Sequence, residues 1–215
     1  MWLSGVPYFL LITVIVLAGL YLANVAYDHG VPQYLSRKIG HLAGGMALFV
    51  CLVLFQEPWW PLILASGFTF LLGGTRIIRP GAFRGVGGTG RSNALAEVWF
   101  PLAATVSILV GWVWLDNPAL GIVPALFMAW GDCVTGLIRS HFYGKEVKGI
   151  YGSFGMVAMC LLIAYFFEPY WIGVIGAVVA TFVEKYSGLS KKWIDDNYTI
   201  TLSSLAVMSL LVELL

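Results

Sequence analysis

The sequence predicts an all-α integral membrane protein, a bundle of about eight transmembrane helices with its long loops on the cytoplasmic side. Of its 215 residues, 60% are hydrophobic and only 11% are charged, which leaves too little polar surface for a soluble domain of this size. Apolar stretches long enough to cross a bilayer recur along the chain, and basic residues are confined to alternate breaks between them. We therefore expect one polytopic membrane domain over residues 1–215, with no separate soluble domain and no nucleic-acid partner.

Apolar runs separated by polar breaks define the predicted spans. These spans cover residues 7–27, 39–56, 58–75, 94–115, 118–138, 153–167, 169–186 and 198–215. The first run has no basic segment before it and no clear small-residue cleavage site after it, so we interpret it as a membrane helix rather than a signal peptide. Short turns that contain an acid and a proline, "QEPW", "LDNPAL" and "FEPY", follow the second, fourth and sixth spans, and proline stops a helix there.

The other breaks are long polar loops, at about residues 28–38, 76–93, 139–152 and 187–197. All twelve Lys and Arg residues lie in or beside these loops, and the tight turns hold none. Basic residues in short loops mark the cytoplasmic side of a membrane protein. We therefore expect the long loops, and an active site among them, at the cytoplasmic face, with both termini outside.

Among the ionisable side chains inside the predicted spans, where such groups mark functional sites by default, we single out four. Asp132 is about six residues from the polar end of its span, roughly 9 Å deep at 1.5 Å per residue. His41, Glu97 and Glu184 lie within a turn of the cytoplasmic ends of theirs. Glu97 and Glu184 could equally be interfacial acids at helix ends, and His41 alone could be a structural histidine.

Asp132 is the hardest of these to explain structurally, because Gly131 and Gly136 flank it and no basic residue lies within a helical turn. A buried carboxylate needs a partner, and a metal ion is a candidate. Arg37 and Lys38 precede His41 by four and three residues, on nearly one helical face. The sequence therefore predicts a functional role for Asp132 and a basic face beside His41.

Two basic, glycine-rich loops indicate phosphate binding. In "GLIRSHFYGKEVKGIYGSFG" (136–155), glycines allow backbone N–H groups to approach an anion before a helix N-terminus, although the spacing is not that of a Walker A loop. "RIIRPGAFRGVGGTGRSN" (76–93) could equally be a loop that contacts anionic lipid headgroups. The candidate phosphate-binding residues of the first loop are Arg139, Gly144, Lys145, Lys148, Gly152 and Ser153.

Asp195, Asp196 and Asn197 stand together before the last span. Two carboxylates and an amide suit Mg²⁺, which takes oxygen ligands and often bridges substrate phosphates. On their own they could equally form a helix cap. Together with Asp132 and the basic loops, they predict a site for a metal ion and phosphate.

Three segments, in their order along the chain, resemble the polyprenol kinase family: "SRKIGHLAGG" (36–45), "WGDCVTGLIRSHFYGKEVKGIYGSFG" (130–155) and "DDNYTITLSS" (195–204). This family includes dolichol, phytol and CTP-dependent diacylglycerol kinases and is distantly similar to the CDP-diacylglycerol synthases. Two positions depart from the family pattern: Tyr151, where an acidic residue is frequent, and Thr201, where proline is usual. The Asp-Asp-Asn element favours the kinase branch.

The resemblance implies a membrane kinase that transfers the terminal phosphate of CTP to a polyprenol-, dolichol- or phytol-type alcohol with Mg²⁺ or Mn²⁺. It implies metal binding by Asp132 with Asp195, Asp196 and Asn197, and a base that is either Asp132 or His41. The residues expected to neutralise or cradle the nucleotide are Arg37, Lys38, Arg139, Gly144, Lys145, Lys148, Gly152 and Ser153. Further candidates for the site are Asn93, Glu97 and Glu184.

Two other functions fit parts of the sequence. A CTP-dependent cytidylyltransferase that makes a CDP-activated lipid would use the same metal and nucleotide but release pyrophosphate. A membrane transporter or flippase would also place polar groups within spans. A transport pathway needs polar groups at several depths, whereas those predicted here gather in one leaflet, which favours the lipid enzyme.

Overall fold

The computed structural model describes residues 2–87, 95–144, 148–187 and 195–215, and all regular secondary structure within these ranges is helical. The α-helices are α1 (Trp2–Asp28), α2 (Gln33–Leu54), α3 (Trp59–Ile78), α4 (Arg84–Gly87), α5 (Ala96–Ser107), α6 (Pro118–Leu126), α7 (Asp132–Tyr143), α8 (Ile150–Ala164), α9 (Tyr170–Ser187) and α10 (Asp196–Glu213). Two π-helical segments complete them: Ile108–Trp114 extends α5, and Phe127–Gly131 joins α6 to α7 without a break.

Five continuous helical segments in the described ranges are long and apolar enough to cross a bilayer. They are Gly5–Asp28, Gln33–Leu54, Trp59–Ile78, Ala96–Trp114 and Pro118–Tyr143. This confirms the predicted all-α membrane fold and places a helix at each of the first five predicted spans. Helices also occupy the last three predicted spans, but α8 is shorter, and α9 and α10 carry more polar residues. The number of crossings and the sides on which the loops lie stay predictions.

The helical segment α6–α7 is the most enclosed of the five. About four fifths of its apolar window (78%) is buried within the protein, against 22% for α1. Every residue from Leu120 to Leu126 is buried, and α6 packs against α2, α5 and α10. Asp132 therefore starts α7 inside the protein rather than at the lipid-facing surface.

The turn before α6 shows how the sequence sets these boundaries. Asn117 precedes Pro118, and its side-chain oxygen accepts a hydrogen bond from the backbone N–H of Leu120 at 2.9 Å. Asparagine at the N-cap and proline at the first helical position both favour the start of a helix. The "LDNPAL" turn thus ends one helix and begins the next, as predicted.

The described part of the second long loop is attached to α1 and α2. Asn24 donates to the carbonyl of Ala82 and accepts from the N–H of Gly85, both at 2.8 Å. Ser36 donates to the carbonyl of Gly85 at 2.7 Å. A Cβ at position 85 would collide with the backbone of Ala23, so only glycine permits this approach. These contacts show that residues 82–87 form an ordered part of the bundle; residues 88–94 lie outside the described ranges.

Asn24→Ala should detach this loop. The substitution leaves the Gly85 N–H and the Ala82 carbonyl without their partner, which costs about 1–3 kcal/mol for buried groups. We expect a lower melting temperature in detergent, measured by tryptophan fluorescence. Leu22→Ala, at an exposed position of the same helix, is the matched control. Equal melting temperatures for the two variants would show that the Asn24 contacts do not stabilise the fold.

Candidate active site

Three residues that the sequence singled out meet between α2 and α7. Lys38 Nζ donates a hydrogen bond to Asp132 Oδ2 at 2.6 Å, and His41 Nδ1 lies 3.0 Å from the same oxygen, off the direction of an aligned hydrogen bond. The side chains are 12%, 7% and 8% exposed for Lys38, Asp132 and His41. We call these three residues the charged cluster. Asp132 has no basic residue within a turn of its own helix, and the ammonium group of Lys38 on α2 neutralises its carboxylate.

Local structure explains how α7 presents Asp132 to α2. The π-helical turn Phe127–Gly131 ends immediately before Asp132, and π-helical turns occur frequently at functional sites. Gly136 lies one turn further on, and a Cβ there would collide with the side chain of Lys38. The absence of a side chain at position 136 thus lets Lys38 reach the carboxylate.

An apolar cavity of about 90 Å³ lies beside the charged cluster, between α1, α2, α3 and α5. Its polar lining comes from Arg37, His41 and Glu97, and the rest is apolar. Along α2 the lining runs from Arg37 to Cys51, a separation of 51 − 37 = 14 residues, which corresponds to about 21 Å at 1.5 Å per residue. The cavity is therefore long and apolar, with polar groups at one end.

His41 belongs to both the cavity and the charged cluster. Its ring stacks on Phe100, with ring centroids 5.6 Å apart and an interplanar angle of 16°, and both residues line the cavity. Its Nδ1 faces Asp132. A molecule that fills the cavity would therefore bring its polar end to the charged cluster.

Glu97 lies at the same end of the cavity and pairs with Arg76. The Arg76 Nη1 to Glu97 Oε1 distance is 3.1 Å, and Arg76 also donates to the carbonyl of Gly87 at 3.3 Å. Glu97 is buried. Its carboxylate is therefore paired within the protein, where it connects α5 to the end of α3. Asn93 lies outside the described residues.

Arg139 and Lys148, predicted to bind the nucleotide, are both held by Glu184. Arg139 donates from two nitrogens to the two Glu184 carboxylate oxygens, at 2.8 and 3.0 Å, and the side chains are only 6% and 1% exposed. Lys148 Nζ lies 3.5 Å from Glu184 Oε1 and also donates to the Glu184 backbone carbonyl. Glu184 is thus a buried acid that joins α7 and the start of α8 to α9.

The glycines of the same loop have structural explanations. Gly144 ends α7 with φ 63°, a left-handed conformation that favours glycine. A Cβ at Gly152 would lie 2.6 Å from Arg139 Nε, so Gly152 makes room for the Arg139–Glu184 pair. Ser153 is buried in the first turn of α8. Lys145 lies outside the described residues, and a phosphate-binding role for this loop stays a prediction.

Asp195 and Asn197 cap and anchor α10. Asp195 Oδ1 accepts from the Asn197 N–H at 2.9 Å, and Asn197 Nδ2 donates to the carbonyl of Ala96 at 3.2 Å. Burial raises the pKa of Asp195 to about 7, and the neighbouring Asp196 acts in the same direction while Arg37 opposes it. Arg37, which lines the polar end of the cavity, lies near enough to Asp195 to oppose this rise in its pKa.

These residues carry oxygen atoms of the kind that Mg²⁺ binds, and magnesium binding here stays a prediction. Among the described residues, Asn197 Oδ1 is buried without a hydrogen-bond partner, and it stands beside two carboxylates. Within the same ranges, no three His, Cys, Asp or Glu side chains form a group that could hold a metal ion. Mg²⁺ commonly keeps several water and phosphate ligands, so the residues fit an ion that a nucleotide brings, rather than a preformed protein cage.

The raised pKa of Asp195 predicts a pH-dependent stability in the absence of divalent cations. Its folded pKa of about 7 lies above the ordinary aspartate value of 3.8. The stabilising protonated form is therefore lost as pH rises through about 7. We expect the melting temperature of the wild type, relative to Asp195→Asn, to fall by a few degrees between about pH 5 and pH 8. Asparagine retains the cap, so a pH-independent difference would contradict the raised pKa.

Comparison with known proteins shows a distant similarity to a curated relative. The chain is 25% identical over 210 residues to a protein of Glycine max named "Probable phytol kinase 3, chloroplastic". The alignment covers 84% of this chain and 64% of the relative, so the chain spans less than two thirds of that protein's length. No family model and no solved structure matches the chain. The similarity supports, at most, membership of a group of proteins like the polyprenol and phytol kinases; the likeness to CDP-diacylglycerol synthases stays a prediction.

Proposed function

We propose that this protein is a membrane-embedded lipid-alcohol kinase. It transfers the terminal phosphate of a nucleoside triphosphate, CTP in the first instance, to an isoprenoid alcohol of the polyprenol, dolichol or phytol type. The observation that carries this proposal is the position of His41, which lines the apolar cavity and lies 3.0 Å from Asp132. The similarity to a probable phytol kinase supports the same class of reaction.

The cavity and the charged cluster suit the two ends of a lipid alcohol. An isoprenoid chain gains free energy when its apolar surface leaves water or a polar interface, and the cavity wall is almost entirely apolar. The hydroxyl group needs a polar partner, and the polar wall at His41 provides one. A bound alcohol would therefore present its oxygen at the charged cluster.

In the proposed reaction, the alcohol oxygen forms a bond to the terminal phosphorus of the nucleotide. The bond from that phosphorus to the bridging oxygen breaks, and the nucleoside diphosphate leaves. The hydroxyl proton passes to a base. We assign this role to His41 in preference to Asp132, because the His41 ring lines the cavity, whereas Asp132 Oδ2 already accepts a hydrogen bond from Lys38. Asp132 then orients His41 and balances the charge of Lys38.

The beginning of α2 supplies positive charge where the phosphates would lie. Arg37 lines the polar end of the cavity, and Lys38 lies in the charged cluster. Phosphoryl transfer depends mainly on positioning and charge neutralisation, which two basic residues at this position favour. When bound, Mg²⁺ would add further neutralisation, and Asp195, Asp196 and Asn197 carry the oxygen atoms that would hold it.

A double-label assay tests this function. Purified protein in detergent would receive Mg²⁺, a panel of isoprenoid alcohols, diacylglycerol and phosphatidic acid, and CTP labelled on either the γ-phosphate or the cytosine. We expect γ-label in the lipid and release of CDP. A parallel reaction with ATP labelled on the γ-phosphate compares the two phosphate donors.

Two outcomes would contradict the proposal. Cytosine label in the lipid, with release of pyrophosphate, would identify a cytidylyltransferase. The protein must also be folded, which cooperative thermal unfolding would show. If such protein transfers no label from either nucleotide to any lipid, the kinase function is excluded and the transporter is favoured.

A further inference from the structure

The cavity lies beside a seam between α1 and α3 that is held at both of its ends. At one end, the rings of Phe9 and Trp60 pack with their centroids 5.3 Å apart. At the other end, Asn24 bonds to Ala82 and Gly85, in the loop that follows α3. Between these ends the contact is slight, because α1 packs mainly on α2, and α3 packs mainly on α5. The middle of the seam is therefore its least packed part.

The exposed part of the cavity wall lies at the middle of this seam. Val16 on α1 and Ala65 and Phe68 on α3 line the cavity and are only partly buried. The lining residues of α2 at this depth are all buried, namely Gly44, Ala47 and Leu48. The wall therefore borders the bilayer between α1 and α3 rather than on the α2 side. We call Val16, Ala65 and Phe68 the lateral opening.

The lateral opening lies close in depth to His41. Residues 29–32 alone separate α1 from α2, and helices joined by so short a loop run antiparallel. Gly19 on α1 packs directly against Ala43 on α2, so Val16, three residues earlier, lies level with residue 43 + 3 = 46 of α2. His41 is 46 − 41 = 5 residues from that level, about 7.5 Å at 1.5 Å per residue. A hydroxyl that enters at the lateral opening therefore reaches the charged cluster with only a few carbon atoms behind it.

The cavity is too small to enclose the whole of a long acceptor. Its volume is about 90 Å³, whereas pockets that enclose a whole ligand measure roughly 300–1,000 Å³. Lipid hydrocarbon is as apolar as the wall of the cavity, so a chain loses little free energy by remaining in the bilayer. The cavity therefore suits the hydroxyl and the carbon atoms nearest to it.

We infer that the acceptor alcohol enters the cavity from the bilayer through the lateral opening. The hydroxyl and the first carbon atoms occupy the cavity, and the rest of a longer chain stays between α1 and α3 and in the lipid. Chain length beyond this first part is therefore not selected. The inference rests on the proposed function for the identity of the ligand as an alcohol, whereas the route and the tolerance of chain length are measured by binding alone.

A removable cross-link across the lateral opening tests the route. In Val16→Cys with Ala65→Cys, a bifunctional thiol reagent bridges α1 and α3, and reduction releases the bridge. We expect the bridged protein to lose about tenfold or more in kcat/KM for geranylgeraniol, since the fraction of protein that can admit the alcohol falls, and to regain it on reduction. Bridging that leaves kcat/KM unchanged would overturn the inference.

Two controls accompany the cross-link. Thr69→Cys with Thr105→Cys is the matched pair, because the hydroxyl oxygens of Thr69 and Thr105 already lie 3.5 Å apart and join α3 to α5. We expect a bridge there to leave alcohol turnover unchanged, and an equal loss in both bridged proteins would contradict the route. The wild type, whose three cysteines are buried, reports reaction of the reagent with native thiols.

Ala65→Trp narrows the lateral opening without a reagent. The indole would occupy the space between α1 and α3, so we expect a similar loss in kcat/KM for the alcohol and no change in KM for the nucleotide. Ile63→Trp, at an exposed position of the same helix, is the control. Because a larger side chain can strain a packed site, both variants are first compared by melting temperature. Equal alcohol kinetics in the two tryptophan variants would contradict the route.

Ligand-induced stabilisation provides a readout that needs no catalysis. We expect farnesol, geranylgeraniol and a long polyprenol to bind the wild type with Kd values within about threefold of one another, and the bridge to abolish the stabilisation by all three. Affinity that falls about tenfold or more from geranylgeraniol to the long polyprenol would overturn the inference. If the bridge blocks binding while no phosphate is transferred to any alcohol, the lateral opening stands and the proposed kinase function fails.

Discussion

Asp132→Asn should reduce phosphate transfer by roughly a hundredfold to ten-thousandfold, the contribution of general base catalysis by His41, which depends on Asp132 for its orientation. The amide cannot orient His41 as a carboxylate does, and it leaves the Lys38 ammonium without a counter-charge in a mostly buried site. Lipid phosphate formed from γ-labelled nucleotide measures the effect. Because breaking a buried ion pair is itself destabilising, the melting temperature must be measured beside activity.

A charge-balanced control separates catalysis from stability. Lys38→Met combined with Asp132→Leu removes both charges and leaves neither unpaired, and such replacements are often neutral or stabilising. We expect the double variant to unfold at or above the temperature of Asp132→Asn and to remain inactive. Activity near the wild-type level in either variant would show that Asp132 takes no part in the reaction.

Glu184→Gln should produce the largest loss of stability, about 3–5 kcal/mol, which is the cost of removing one partner of a buried ion pair. The substitution leaves the Arg139 guanidinium uncompensated at 6% exposure and removes the carboxylate near Lys148. The contacts of α7 and the start of α8 with α9 would weaken together. Thermal unfolding in detergent and the yield of folded protein both report this change.

The paired substitution Arg139→Met with Glu184→Leu tests whether Arg139 is structural or binds the nucleotide. If Arg139 serves only to hold the helices together, the double variant should recover most of the lost stability and keep the wild-type KM for CTP. If the double variant regains stability but its KM for CTP is raised tenfold or more, Arg139 contributes to nucleotide binding. A double variant as unstable as Glu184→Gln would contradict the ion-pair explanation.

Much of this fold could be predicted because its dominant signals are local. Apolar runs and the turn "LDNPAL" can be recognised from a few consecutive residues. The helices lie at the apolar runs, and the turn separates two of them. The rule that ionisable groups inside spans are functional also selected Asp132 and His41 as candidates, and the structure brings these two residues together. The helix boundaries follow from residues that are close in sequence. The selection of Asp132 and His41 follows from the free-energy cost of placing an ionisable group in lipid.

The side-chain pairs of the candidate site could not be predicted, because they join residues that are distant in sequence. Lys38 and Asp132 are 94 residues apart, so the sequence did not reveal that an ammonium group lies beside the carboxylate for which a metal ion was a candidate partner. Metal binding by Asp132 stays a prediction. The sequence could not decide whether Glu184 is an interfacial acid or a functional one, because no residue near it in sequence identifies Arg139 as its partner. Side-chain pairing of this kind is decided by helix packing, which residue spacing within one helix does not specify.

The cavity was also missed, although one signal for it is present in the sequence. Gly40, Gly44, Ala47 and Cys51 follow one another at helical spacing along α2 and all line the cavity. A face of small residues usually marks close contact between helices, and Gly44 does approach Phe100 on α5. Whether such a face is filled by a neighbouring helix or leaves a space depends on the residues that oppose it.

Photo-crosslinking tests most directly whether the alcohol group reaches the charged cluster. Two isoprenoid alcohols would be compared, one with a diazirine beside the hydroxyl-bearing carbon and one with a diazirine at the tail, each in competition with unlabelled alcohol. We expect the first to label peptides that contain Arg37, His41 or Phe100, and the second to label those that contain Ile12, Cys51 or Pro61. Labelling of the Ile12, Cys51 or Pro61 peptides by the probe with its diazirine beside the hydroxyl would contradict this binding mode. Labelling of lipid-facing residues that unlabelled alcohol does not suppress would contradict it as well.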